Sequence, residues 1–157
     1  MEELTRAKKR ALYILADCDK TEKQLYDKLK KTGYSDEAIM GAMDYVRGFG
    51  YLDDGKYAVR YILYYREKKS RARLKYDLAK KGLSQALIAE AFEEAGEWDE
   101  RPAIRVLAEK KLSKMDRTDP KAYRKLAAFL SGRGYRTDDV MAVLGQLAEG
   151  LPKSSGA

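Results

Sequence analysis

An internal repeat constrains this chain more than any single residue does. Residues 21–39 (TEKQLYDKLKKTGYSDEAI) align with residues 70–88 (SRARLKYDLAKKGLSQALI) at a constant offset of 49. Leu25 falls on Leu74, Leu29 on Leu78, Gly33 on Gly82 and Ile39 on Ile88. A third copy, AYRKLAAFLSGRGYRTDDV, begins at Ala122; its Leu126, Leu130, Gly134 and Val140 match the second copy at an offset of 52. A period near 50 residues means one supersecondary unit used three times. A unit of that size buries too little surface to stand alone, so neighbouring copies are expected to share cores. The expected fold is therefore all-α, an elongated tandem array of three three-helix repeats with about nine helices. The repeats are placed at 1–52, 53–98 and 99–150, with a flexible tail at 151–157.

Helix punctuation supports each unit. In the first, residues 3–17 carry an apolar stripe through Leu4, Ala7, Ala11, Leu12, Ile14 and Leu15. Thr21 followed by Gln24 fits a capping box opening a second helix with Leu25 and Leu29 inward. Gly33 stops that helix, since glycine takes the left-handed conformation at low cost. Ser35 then caps a third, with Ile39, Ala42, Met43 and Val46 inward, ended by Gly48 and Gly50. The second unit repeats the grammar. Asp53 or Asp54 starts a helix through Tyr57, Ala58, Tyr61, Ile62 and Tyr65; Ser70 opens the next, with Leu74 and Leu78 inward and Gly82 closing it; Ser84 caps a third. In the last unit Pro102 suits a first helical turn, and Asp119–Pro120 reads as an N-cap followed by a helical proline. Leu126, Phe129 and Leu130 serve the middle helix, Gly134 its stop, and Val140, Val143, Leu144 and Leu147 the final one. No strand is expected.

Enzymatic chemistry has little to stand on. The chain has no histidine, which removes most zinc sites and nearly all Ser/His or Cys/His hydrolase schemes. Neither phosphate-cradling glycine motif occurs. The single cysteine, Cys18, is expected to be a buried or half-buried residue near a helix end and cannot form an internal disulfide. Adjacent Asp53 and Asp54 could ligate a metal, but acids at a helix start more often cap it and meet its dipole. No cofactor or metal is expected. No apolar stretch approaches the roughly 20 residues that span a bilayer, and the N-terminus lacks signal-peptide character. The expected setting is a reducing cytoplasm.

Charge separates the repeats. The net charge is +7. Residues 1–54 sum to −1, residues 55–100 to +2 and residues 101–157 to +6. Residues 55–81 hold ten Lys/Arg against only Glu67 and Asp77, a local +8, whereas residues 82–100 carry six acids and no base. Arg60, Arg66, Lys68, Lys69, Arg71, Arg73, Lys75, Lys80 and Lys81 are the candidate partner- or DNA-binding residues. Arg71 and Lys75, four apart, share a helix face that is expected to be exposed. Tyr61, Tyr64 and Tyr65 lie close by, as in basic–aromatic nucleic-acid surfaces, although core or seam positions suit tyrosines better. The bland reading is a solvated face with lysines favoured at a helix C-terminus. The charge concentration points instead to a polyanion or an acidic protein surface.

The sequence YLDDGKYAVRYI (51–62), followed by KSRARLKYDLAKKGLS (69–84), resembles the RecX family of regulators of the RecA recombinase. The motif residues are Tyr51, Leu52, Asp53, Asp54, Tyr57 and Ala58. TEKQLYDKLKKTGYSDEAI is similar to the family's first repeat and AAFLSGRGYRTDDV to its third, so the resemblance runs to about residue 148. One departure is Ser70–Arg71, where many relatives carry Gly–Pro or Gly–Arg. The resemblance implies tandem three-helix repeats without a cofactor. It implies binding to the RecA filament on single-stranded DNA, along the filament groove, with inhibition of ATPase, strand-exchange and coprotease activities. The resemblance further implies that some members bind DNA directly, which makes direct contact with single-stranded DNA an expectation to test. The expected chain is thus a monomeric, cytoplasmic, non-catalytic modulator serving recombination, DNA repair and the SOS response. The competing expectation is a stand-alone nucleic-acid-binding protein using the basic second repeat. Against it, no short turn leads into a recognition helix rich in Arg, Asn and Gln.

Overall fold

The computed structural model describes residues 2–147. Among these lie nine α-helices and no strand. They are α1 (Glu2–Asp17), α2 (Glu22–Thr32), α3 (Asp36–Gly48), α4 (Asp54–Tyr65), α5 (Arg71–Lys80), α6 (Gln85–Ala95), α7 (Arg101–Leu112), α8 (Ala122–Gly132) and α9 (Thr137–Leu147). The order gives three successive triplets, as the repeat requires. The expected tail at 151–157 and the end of the third repeat lie outside the described residues.

The caps explain where the helices begin and end. Thr21 and Gln24 form the full capping box, each side chain bonded to the other's backbone N–H. Ser35 and Ser84 accept from Ala38 and Leu87 three residues on, at 3.2 Å each. Asp53 caps α4 by accepting from the Lys56 N–H at 3.0 Å. Asp54 caps a different helix, accepting from the Glu22 N–H at the start of α2 at 2.8 Å. Asp119 departs from expectation. Its Oδ1 accepts from the Lys121 N–H at 2.9 Å and its carbonyl from Ala122, so Asp119–Pro120 forms a turn and α8 starts only at Ala122. An Asx turn outcompetes a helix start there because the side-chain oxygen reaches the N–H two residues ahead. Cys18 also departs: it is exposed, just past the end of α1.

The chain divides into two compact units. One comprises residues up to Leu63 together with Tyr76–Gly96; the other comprises Tyr64–Lys75 with the residues from Glu97 on. The division falls inside α4 and α5, so residues of the middle triplet are shared out between the units. In the first unit α1 packs along α3 around Ala7, Ala11, Leu25, Leu29, Ile39, Ala42 and Val46, all fully buried. In the second, α7, α8 and α9 enclose Ile104, Ala108, Leu126, Leu130 and Leu144, also fully buried. Leu74 and Leu78 are both at 0% exposure, as the repeat register requires.

Each unit contains the same clasp. In the first, Thr21 Oγ1 donates to the Lys81 carbonyl at 2.7 Å; in the second, Ser70 Oγ donates to the Arg133 carbonyl at 2.7 Å. Both carbonyls precede a glycine with positive φ, Gly82 at 97° and Gly134 at 92°. A Cβ on Gly82 would lie 2.5 Å from Lys23 Cβ, and one on Gly134 would lie 2.6 Å from Ser70 Oγ and 3.1 Å from Ala72 Cβ. Lys23 and Ala72 occupy equivalent repeat positions, as do Thr21 and Ser70. The glycines are therefore required twice, by conformation and by the close approach of the capping turn. At the corresponding position of the third copy stands Ala122, which has no hydroxyl to donate.

Candidate polyanion-binding surface

The basic residues singled out above are divided between the units. Arg60, Lys80 and Lys81 belong to the first; Arg66, Lys68, Lys69, Arg71, Arg73 and Lys75 belong to the second. In the first unit Arg60 is exposed but pairs with Asp19 at 3.0 Å. Lys80 and Lys81 stand 5.6 Å and 5.4 Å from the rings of Tyr76 and Tyr61. The Tyr61 hydroxyl in turn donates to the buried Asp77 at 2.7 Å, so one of the two acids in the basic stretch is turned inward.

In the second unit Arg71 is not the exposed residue its spacing predicts. Its guanidinium donates to Glu100 Oε1 at 2.8 Å and to the Trp98 carbonyl at 2.6 Å, and it lies 4.1 Å from the Trp98 ring centroid. The Arg71 backbone N–H also donates to Glu100, at 3.1 Å. Glu100 is 3% exposed, so its carboxylate is held in the fold by one side chain and one helix N-terminus. Arg71 is thus half-buried and structural in character, whereas Arg73 and Lys75 are exposed. Arg66 is half-buried against Trp98, Lys68 is exposed beside Tyr64, and Lys69 stands 4.4 Å from the Tyr65 ring. Tyr64 departs from the core-or-seam expectation: it is 70% exposed.

Lys68, Lys69 and Arg73 line a cleft of about 390 Å³ together with Tyr65, Ser70, Leu107, Gly132, Arg133 and Tyr135. Ser70 and Arg133, the two residues of the clasp, are among these lining residues. Burial, with the nearby Glu100 charge, raises the Tyr135 hydroxyl above the ordinary tyrosine range. A second cleft of about 390 Å³ shares Leu107 and Arg133 and adds Lys110, Lys111, Lys114 and Phe129. None of the residues lining either cleft is acidic. These third-repeat cations were not among the residues chosen from the sequence. The only available signal was the +6 of residues 101–157, because their convergence depends on how α7 and α8 pack.

The YLDD motif is mainly architectural. Leu52 and Ala58 are buried core residues, and Asp53 and Asp54 are caps. Tyr57 stacks on Tyr61 at 6.2 Å. Tyr51 is the outward member, 56% exposed and stacked on the equally exposed Phe49. Among the described residues, no group of His, Cys, Asp and Glu could hold a metal ion, and no helix is long and apolar enough to cross a membrane.

Known proteins share this arrangement. The family models described as the first and third three-helix domains of RecX match residues 7–45 and 99–144. "Regulatory protein RecX" of Clostridium tetani is 34% identical over 140 residues, which cover 87% of this chain and 65% of that protein. The chain therefore spans somewhat less than two thirds of the clostridial protein's length. "Regulatory protein RecX" of Vibrio campbellii is 32% identical over 142 residues, covering 88% of this chain and 89% of the relative. The crystal structure of RecX from Lactobacillus salivarius superposes with a TM-score of 0.76 at 20% identity, covering 93% of this chain and 97% of that one. With three-helix domains matched at both ends and a relative matched over nearly its whole length, the chain belongs to the RecX family of regulatory proteins.

Proposed function

We propose that this chain is a non-catalytic modulator of the RecA recombinase, an inhibitor, that binds the RecA filament on single-stranded DNA along its groove. In this reading it acts in the cytoplasm as a monomer without a cofactor, and so regulates recombination, DNA repair and the SOS response. The three repeats, 1–52, 53–98 and 99–150, would meet the filament as successive modules, with the basic second repeat as the main contact. Membership of the RecX family is the observation that carries the reading. The exposed cations Arg73, Lys75 and Lys80 support it, because a groove holding DNA phosphates attracts them electrostatically. No reacting group is needed, since occupying the groove or favouring one filament state suffices.

Arg73 and Lys80 are seven residues apart on α5 and share a face. The double variant Arg73→Glu/Lys80→Glu should reduce co-sedimentation with RecA–DNA filaments while the helical circular dichroism stays unchanged. Wild-type-like co-sedimentation of that variant would remove the second repeat from the contact. A stand-alone nucleic-acid-binding role is the alternative, favoured by the charge density of residues 55–81. Sequence-specific nanomolar binding to DNA without RecA would select it.

A further inference from the structure

Tyr135 carries a hydroxyl that the fold does not use. The residue is 5% exposed and lines the cleft of about 390 Å³ beside Ser70 and Arg133. Among the described residues that hydroxyl makes no hydrogen bond, and it is not sealed inside the protein, so the cleft is the space it opens on. A buried tyrosine hydroxyl ordinarily finds a partner, because an unmatched donor costs the desolvation of the group. The repeat shows that packing does not require it. The equivalent position of the second copy is Leu83, also 5% exposed, and that of the first is Tyr34, only half-buried. Each follows the glycine that ends its middle helix, where an apolar side chain packs back on the last turn. An aliphatic residue therefore satisfies the fold, and the hydroxyl of Tyr135 is surplus to it.

The charges around this hydroxyl have one sign. Lys68, Lys69 and Arg73 reach the cleft from the first turn of α5 and the segment before it, and Arg133 from the end of α8. All four belong to the second unit. Glu100, whose charge reaches Tyr135, is neutralised by Arg71 at 2.8 Å and does not line the cleft. The start of α5 offers little of its own, because the Arg71 N–H already donates to Glu100. Recognition falls to side chains: four cations and one neutral hydroxyl around a volume at the small end of ligand sites, which run from roughly 300 to 1,000 Å³. A terminal phosphoryl group carries about −1.5 to −2 near pH 7, against one charge for a diester link. Four cations in one small cleft match two joined phosphoryl groups with a free end.

We infer that this cleft binds a free diphosphate group, with the Tyr135 hydroxyl donating to a phosphoryl oxygen and Lys68, Lys69, Arg73 and Arg133 neutralising its charge. The group can arrive as inorganic diphosphate or as the tail of a nucleoside diphosphate. Bound there, it ties Lys68, Lys69 and Arg73 to Arg133 and Tyr135, bridging the two segments that the Ser70–Arg133 hydrogen bond already joins. The ligand is thus a second clasp on the same seam, present only when it is bound. Because the site exists only in the folded unit, binding raises stability by mass action. The inference goes beyond the filament reading and stands without RecA.

The test follows calorimetric binding and melting temperature of the full chain with sodium diphosphate, ADP or sodium sulfate at matched ionic strength, without RecA or magnesium. Diphosphate and ADP should each bind saturably and raise the melting temperature, and sulfate should not. Tyr135→Phe keeps the ring that packs where Leu83 packs, and should weaken diphosphate binding about 10-fold or more. Arg73→Gln removes an exposed cation and should weaken it about 10-fold; it decides the matter if Tyr135→Phe does not fold. The control Arg124→Gln, exposed on α8 and outside the cleft, should stay within about twofold of wild type. Sulfate matching diphosphate, unchanged affinity in folded Tyr135→Phe, or equal losses in Arg73→Gln and the control would each overturn the inference. Binding of ADP but not diphosphate would also overturn it, since the base would then be what is recognised. Displacement of diphosphate by an equal phosphate concentration of oligodeoxythymidine would assign the cleft to a diester backbone, with the same consequence. RecA takes no part, so these outcomes leave the filament reading to its own measurement.

Discussion

Ser70 and Thr21 each use one hydroxyl twice, accepting a helical N–H and donating to a carbonyl sixty or more residues away. Both are buried, so losing the hydroxyl strands a carbonyl and an N–H away from water. Thr21→Val and Ser70→Ala should each cost about 1–3 kcal/mol, read as a drop in melting temperature. Ser84→Ala removes a cap on an exposed serine and should cost less, about 0.5–1 kcal/mol. Equal losses would mean that the long-range half of the clasp contributes nothing. Arg71 presents a sharper case. Arg71→Ala leaves the 3%-exposed Glu100 carboxylate without its cation and should cost about 3 kcal/mol. A neutral effect would show that solvent reaches Glu100 easily. Asp54 tests electrostatics. Burial is the largest influence on its carboxyl and raises its pKa, against the lowering effect of the Glu22 N–H. A raised folded pKa means that the ionised form is disfavoured in the fold, so its cost is present at neutral pH. That cost disappears as pH falls through the raised value to the ordinary carboxylate value. Asp54→Asn keeps an acceptor for Glu22 and should be at least as stable as wild type at pH 7, with the difference shrinking toward pH 4. A variant that is less stable at pH 7 would contradict this balance.

At the scale of elements, the helices were legible because their signals are local. Thr21 with Gln24, Ser35, Ser84 and Gly33 mark their termini within three or four residues, and the structure keeps all of them. The register of Leu25, Leu29, Leu74, Leu78, Leu126 and Leu130 was equally readable, since one repeat predicts the burial of the next. Leu74→Ala should cost about 2–5 kcal/mol as a core deletion, and a negligible change in melting temperature would refute its inward placement. The misses share a physical cause. Arg71 has an exposed position by helical spacing, yet Glu100 arrives from 29 residues away to bury it. Asp119 has the residue type of a cap, but its side chain bonds the second N–H ahead and delays the helix. Cys18 follows the last residue of α1 with no further turn to cover it.

At the scale of the molecule, the three copies of one motif carry unequal chemistry. The first pairs Lys23, Lys30 and Arg47 with carboxylates and builds one core; the third builds another, pairs Lys125 with Asp119, and sets Lys110, Lys111, Lys114 and Arg133 around a cleft with no acidic lining. Composition registers that difference as a charge gradient, but the densest basic stretch of the sequence, 55–81, contains none of the cations of α7 and α8. Their meeting with Lys68, Lys69 and Arg73 exists only after helix packing. The central claim is that such a chain restrains RecA without chemistry of its own. The most direct measurement is the rate of ATP hydrolysis by RecA on single-stranded DNA as this chain is added at micromolar concentration. A progressive fall in rate, with the chain bound to the filament, is the expected result; an unchanged rate together with no detectable binding to the filament would contradict the account.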